Sequence, residues 1–416
     1  MIGTLLPLAS LVLAVVFLMS GHGLFSTLIG VRSGAEGYAT ETVGLIMSAY
    51  FGGQIAGVFW CRRVIRQVGH IRAFAAFAAS VSVLPLGHAY LVDPWAWAAF
   101  RFAGGGSLVG LIMVAESWIN ERADNANRGQ VLSFYMIAYY AALGGGQFLL
   151  IVGDPTTASL FVLASALFSI AIVPVALTKT KAPPPVPNVK FSLRDLFRLS
   201  PLAVVGTVAA GLTNSSFFGM GPVFATDIGF SLREISWFMG LTIFGGLLLQ
   251  WPLGRLSDKM DRRRVMVGIS LLIISGSFGL VFTAHAEHIW VLAYAVLFGG
   301  GAYTLYPMCA AHANDKLTPE QRVNAAGGLL IIYGLSAAAG PSLAAVVMGN
   351  IGPEGLYLQV IVIQVLLILF AAYRSYASRR LMVRVRRRFQ PIPHSTPTIT
   401  RLTKFSENGA NGDRAE

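Results

Sequence analysis

The sequence predicts an all-α polytopic membrane protein, with twelve transmembrane helices built as two pseudo-symmetric six-helix bundles. Three observations lead there. Of 416 residues, 55% are hydrophobic and 12% are charged, where a soluble domain carries about 25% charged residues. Apolar runs long enough to cross the hydrocarbon core, about 20 residues in a helix, recur from one end of the chain to the other. Basic residues gather in every second break between those runs, as in a chain threaded back and forth through a bilayer.

The opening run, "MIGTLLPLASLVLAVVFLMSGHGLFSTLIG", has no basic start and no clean small-residue cleavage site. It reads as a first span near 5–30, not as a secretion signal. The following spans fall near 42–61, 72–92, 95–119, 130–153 and 157–178 in the first half. Those of the second half fall near 201–226, 235–254, 265–284, 288–312, 325–349 and 356–376. A backbone in hydrocarbon must satisfy its own polar groups, and these runs lack the period-two alternation of a barrel strand, so each is a helix.

The breaks at 62–72, 120–130, 179–200, 255–264 and 313–324 hold 4, 2, 5, 5 and 2 Lys plus Arg, and the tail from Arg374 holds 10. The alternate breaks hold Arg32 and Arg233, and Arg101 lies inside a span. The positive-inside rule then places both termini in the cytoplasm, with the chain in a bacterial inner membrane. It also accounts for the formal net charge of +12 without a nucleic-acid partner. The segment "RRLMVRVRRRF" (379–389) suits anionic lipid, each basic residue contributing up to about 1 kcal/mol near a charged surface. The Pro-rich "KTKAPPPVPNVK" (179–190) reads as an extended cytoplasmic linker. The expected division is an N-terminal bundle at 1–178, a linker at 179–200, a C-terminal bundle at 201–376 and a basic, largely disordered tail at 377–416. Cys61 and Cys309 show no metal-site spacing and read as packing residues. No cofactor is expected, and the functional unit is expected to be a monomer.

The halves repeat. "FGG" at 51–53 returns at 244–246, "GGG" at 104–106 returns at 299–301, Arg128 and Tyr139 return as Arg322 and Tyr333, and Gly146 returns as Gly340. The offsets are 193, 195 and 194 residues. A six-helix unit has been duplicated.

These residues resemble the major facilitator superfamily over about 5–376. "GRLSDKMDRRR" (254–264) is close to the superfamily's signature between the second and third helices of a half, with Asp261 where glycine is usual. "RFAGGG" (101–106) resembles its fourth-helix Arg-x-x-x-Gly motif. "AESWIN" (115–120), "NRG" (127–129) and "AHAND" (311–315) resemble the YcaD-like branch of its transporters. The resemblance implies a substrate cavity near the midplane, between the two halves.

A short loop holds the helices on either side of 255–264 adjacent, and its basic residues keep it in the cytoplasm. Asp258 needs another reason. By repeat symmetry it faces the start of the fifth helix, where it can pair with Arg128 and the helix N-terminus. Gly254, Arg255, Asp258, Arg262 and Arg128 then form a latch that closes the cytoplasmic side in one of two states. The first-half copy, "GVFWCRRVIRQVGHIR" (57–72), has no acid. On that side Arg62 or Arg63 could pair with Glu116.

Ionisable residues inside a bilayer are functional candidates. By resemblance Arg101 is a proton-coupling residue; by position it could equally snorkel beside Trp95 and Trp97. Glu116 either titrates or joins the gate, and His22 either titrates or packs. The resemblance lines the cavity with helices 1, 4, 7 and 10. Candidate contacts are His22, Phe25, Arg101, Asn214, Phe217, Phe218, Tyr303 and Tyr306, with Gln54, Tyr139, Gln147 and Gln250 from flanking helices. Aromatic walls with scattered polar groups suit an amphipathic molecule, and few cations argue against a multiply charged anion. Gly340 and Pro341 stand in helix 11, whereas drug-exporting relatives carry their Gly–Pro motif in helix 5.

The leading expectation is a secondary transporter, coupled to protons and exporting a small amphipathic compound. The alternatives are proton symport of a metabolite and a non-transporting sensor with a transporter fold. The absence of Walker, HExxH and GxSxG motifs argues against an ATP-driven pump or a hydrolytic enzyme.

Overall fold

A computed structural model describes residues 2–122, 128–177, 193–284, 286–315, 317 and 319–377. Among them, twelve helices are long and apolar enough to span a membrane. In the first half these are α1 (Ile2–Ala35), α2 (Thr40–Val68), α3 (His70–Tyr90), α4 (Pro94–Arg122), α5 (Arg128–Gln147) with a 3₁₀ extension (Phe148–Val152), and α6 (Ser159–Ile170) continued by α7 (Ile172–Ala176). A short α8 (Leu193–Leu199) leads into the second half. That half comprises α9 (Pro201–Asp227), α10 (Leu232–Lys259), α11 (Arg262–Thr283), α12 (His288–Asn314), α13 (Pro319–Ile351) and α14 (Gly355–Ala377).

The expected spans are all present, and most helices run beyond their apolar cores. The basic break 62–72 is helical except at Gly69, whose φ of 82° only glycine adopts without strain. The break 255–264 narrows to Met260 and Asp261. Asp261 caps α11, its carboxylate accepting from the Arg263 amide at 3.0 Å. That explains an acid where glycine was expected. The sixth span divides at Ala171 because Pro174 has no N–H to give Ile170 and its ring crowds that carbonyl. Leu193–Leu199, beyond the segment 179–190 expected to be extended, is helical. The Pro-rich part of the linker and the basic tail lie outside the described residues.

Packing repeats between the halves. α2 lies against α4, α1 against α5, and α3 against α4 and α6; α10 lies against α12, α9 against α13, and α11 against α12 and α14 in the same way. Glycines set the tightest of these approaches. A Cβ on Gly53 would strike the Phe102 carbonyl, and one on Gly105 the Tyr50 carbonyl; Gly245 meets Val296 and Gly299 meets Thr242 identically. Gly146 against Ser20 repeats as Gly340 against Leu212. The contacts of Gly53 and Gly245 therefore align α2 with α10 at an offset of 192 residues, and those of Gly105 and Gly299 align α4 with α12 at 194. The sequence repeats "FGG" and "GGG" sit one residue out of this register.

The halves meet where α2 crosses α13 and where α10 crosses α5. Ser48 and Ser342 hydroxyls are 2.7 Å apart, and the Ser342 amide donates to Ser48 Oγ at 3.0 Å. At the symmetry-related crossing, Gly240 lies against Phe148, whose ring is 4.7 Å from that of Trp237. Gly30 against Pro222 continues the seam between α1 and α9. These contacts sit in the half of the bilayer away from the basic breaks.

Candidate functional site

Directly beneath the seam, on the basic-break side, lies a chamber between the two halves. The first half contributes His22 from α1, Tyr50, Phe51 and Gln54 from α2, Ile112 from α4, and Tyr139, Tyr140 and Leu143 from α5. The second half contributes Asn214, Ser215 and Phe218 from α9, Tyr303 from α12 and Tyr333 from α13. The helical period explains the grouping: Tyr50 with Gln54, and Asn214 with Phe218, are four residues apart and share a face.

Polar atoms in the wall are partly organised. Gln54 Nε2 donates to the Tyr50 hydroxyl at 2.9 Å, and that hydroxyl lies 3.1 Å from His22 Nε2. His22 Nδ1 is 3.4 Å from Ser26 Oγ. On the far wall Asn214 Nδ2 donates to the Tyr333 hydroxyl at 3.3 Å. The Asn214 Oδ1 and the Tyr140 hydroxyl are buried without a hydrogen-bond partner, a costly state unless something else supplies one. Rings enclose the rest: Tyr140 stands edge-on to Tyr303 at 5.9 Å, and Phe218 lies 5.3 Å from His22.

A narrower cleft opens past His22 and Tyr50 and ends at Arg101, with Phe25 and Phe168 among its walls. Arg101 is 2% exposed and does not snorkel to the membrane surface. Trp97 is itself buried and Trp95 is exposed, so neither escorts the guanidinium outward. Instead the cation lies over the Tyr50 ring at 4.5 Å and the Phe25 ring at 5.9 Å, a cation–π arrangement.

Four expected cavity residues lie elsewhere. Gln147 is turned toward α1, accepting from Thr27. Phe217 packs among Phe238 and Phe298. Gln250 is buried off the chamber wall. Tyr306 lies behind Tyr333, ring to ring at 4.9 Å. Conversely Tyr50, Phe51, Tyr140 and Tyr333 line the chamber and were not among the expected contacts. The phase shared by Tyr50 and Gln54 was the available signal.

Glu116 is wholly buried and within electrostatic reach of Tyr135, Tyr139 and Tyr306. It forms no ion pair with Arg62, whose charged neighbour is Arg66. Of the expected latch, Arg262 joins Asp258 at 3.7 Å and Asp315 at 3.3 Å. This ties the ends of α10, α11 and α12 within one half. Gly254 is buried, and Arg255 stacks on Trp251 at 3.6 Å. The Arg128 side chain lies outside the described residues.

Among the described residues no group of His, Cys, Asp and Glu could hold a metal, and both cysteines are buried and unpaired.

Comparison with known proteins agrees with this architecture. The sequence model described as Major Facilitator Superfamily matches residues 203–406. The uncharacterized MFS-type transporter YcaD of Escherichia fergusonii is 27% identical over 359 residues, covering 85% of this chain and 92% of the relative. YcaD of Escherichia coli gives the same figures. Among solved structures, a mutant of the nucleoside transporter NupG superposes with a TM-score of 0.76 at 12% identity, covering 88% of this chain and 99% of the other. A bacterial homolog of the human lysosomal transporter Spinster gives 0.70 at 15% identity, covering 90% and 97%. Twelve spanning helices among the described residues and a duplicated six-helix packing accompany these likenesses, so the protein is a multi-pass membrane protein similar to transporters of the major facilitator superfamily and to its YcaD-like branch.

Proposed function

We propose that this protein exports a small amphipathic organic compound in exchange for protons, by alternating access between two bundles at 1–178 and 201–376. In this reading both termini are cytoplasmic and the structure corresponds to a state open to the cytoplasm. The seam through Ser48, Ser342, Phe148 and Gly240 closes the outer side. The latch of Asp258 and Arg128 belongs to the opposite state, in which the basic breaks come together. The basic tail rests on anionic lipid.

The observation that carries the reading is the chamber itself. It spans both halves beneath a closed seam, its wall is mainly aromatic, and two of its buried polar atoms lack partners. Such a wall recognises a body with an apolar face and one or two hydrogen-bonding groups. Rocking the halves would exchange which side sees it. His22, Arg101 and Glu116 are the groups through which a proton would act on the cycle.

Everted membrane vesicles test this directly. A respiration-driven pH gradient is followed by a fluorescent dye while chemically diverse compounds are added. Some amphipathic compounds are expected to collapse the gradient with the native protein and not with Arg101→Ala. A folded native protein that collapses it with none of them would remove proton antiport from consideration.

A further inference from the structure

Arg101 poses a problem that the transport reading alone leaves unsolved. Its guanidinium is buried near the outer end of the cavity, about 10 Å along α4 from Pro94 at 1.5 Å per residue, and it has no carboxylate within ion-pair distance among the described residues. An arginine side chain keeps its charge in proteins, and a buried unpaired charge costs several kcal/mol.

The geometry shows which part of the group is unmet. Tyr50 and Phe25 rings lie near the guanidinium carbon. The two donors along one edge, Nε and Nη2, are poorly met. Nε has no partner, and Nη2 reaches the Met47 thioether at 3.6 Å, a weak acceptor. These two N–H groups point the same way and match the two oxygens of a carboxylate. The cleft at Arg101 shares His22 and Tyr50 with the chamber, so one molecule can occupy both.

We propose that the substrate is an organic monocarboxylate whose carboxylate takes the Nε/Nη2 edge of Arg101 while its apolar or aromatic body fills the tyrosine-walled chamber. One cation at the cleft end neutralises one negative charge. The other walls, Val81, Leu84, Leu108 and Phe168, are apolar and would leave the second charge of a dianion unsolvated. This inference rests on the chamber being the substrate site, and it names the chemistry of what enters.

The test is binding to the full-length protein in detergent, read as the rise in unfolding temperature on titration. The probes are 3-phenylpropionate and its neutral amide, with chloride and acetate as anions lacking the apolar body. The acid is expected to half-saturate at a concentration at least about tenfold lower than the amide, the scale of one charge-assisted hydrogen-bond pair. Arg101→Gln should abolish that preference, with folding checked by helical circular dichroism and monodispersity. If Arg101→Gln does not fold, Arg101→Lys carries the test. It keeps a charge but loses the two-donor edge, and the preference must then fall severalfold. Equal binding of acid and amide overturns the proposal, as does a preference that survives either substitution. An identical response to chloride or acetate, or no response to the aromatic probes, overturns it too. Detergent binding needs no gradient, so an intact acid preference with no gradient collapse in vesicles would count against proton coupling and leave the carboxylate site standing.

Discussion

Tyr50 joins the two spaces of the site through one side chain. Its ring covers the Arg101 guanidinium, and its hydroxyl sits between His22 Nε2 and Gln54 Nε2. Tyr50→Phe keeps the ring and removes two hydrogen bonds, one of which leaves a buried imidazole nitrogen unmatched. A loss of about 1–3 kcal/mol is expected, seen as a lower unfolding temperature. Tyr50→Leu also removes the ring from the cation and is expected to lose more. If the two variants unfold at the same temperature, the cation–π contact contributes nothing. Residues of this kind were unevenly legible in the sequence. His22, Gln54 and Arg101 stand out because polar groups are rare in apolar runs. Tyrosines stand out less, since a spanning helix also carries them at its lipid interfaces: Tyr139 and Tyr303 were expected in the wall, and Tyr50, Tyr140 and Tyr333 were not. Phe217 shows the remaining difficulty. It follows the same helix as Phe218 but stands about 100° further round, which turns it from the chamber into Phe238 and Phe298.

At the scale of elements, α2 and α4 are held as closely as two backbones allow. Gly53 and Gly105 each lie on a carbonyl of the other helix, and the glycines of α10 and α12 repeat the arrangement. Without a hydrophobic drive between helices in lipid, such small-residue contacts set the packing. Gly53→Ala would place a methyl on the Phe102 carbonyl and force the helices apart. A loss of at least about 2 kcal/mol is expected, visible as reduced yield of folded protein and a lower unfolding temperature. Gly145→Ala is the control, since a Cβ there meets nothing within 4 Å, and alanine in a helix gains about 0.5–1 kcal/mol over glycine. Equal behaviour of the two variants would refute the close-approach account. Glycine pairs were visible in the sequence as repeats, yet one residue out of register, because adjacent glycines give no sign of which one faces the partner. Apolar runs likewise marked where helices exist but not where they end. Charged residues such as Arg62 and Lys259 remain helical beyond the hydrocarbon, and only backbone events such as Gly69, Pro174 and the Asp261 cap terminate or divide a helix.

For the whole molecule, the proposed alternating access requires that the seam open. The halves were recognisable from the repeat, but which side of the membrane they close on is a matter of relative rigid-body placement, and no local pattern in either half encodes one state over the other. The Ser48–Ser342 contact, with hydroxyl oxygens 2.7 Å apart across the α2–α13 crossing, gives a direct way to hold the seam shut. Oxygens that close hold the two Cβ atoms no more than about 5.5 Å apart, so a shift of about 1 Å brings them to the 3.5–4.5 Å of a disulfide. The double variant Ser48→Cys, Ser342→Cys is therefore expected to cross-link under mild oxidation. The native Cys61 and Cys309 are buried and unpaired and do not compete. Mass spectrometry after alkylation reads the bridge, and vesicle assays read its effect. If the molecule works by alternating access, transport should fall to background on oxidation and return on reduction, while each single variant transports under both conditions. A cross-linked protein that still transports would mean that the α2–α13 seam stays closed throughout the cycle. Access to the chamber would then have to come from movement within a bundle and not between the two.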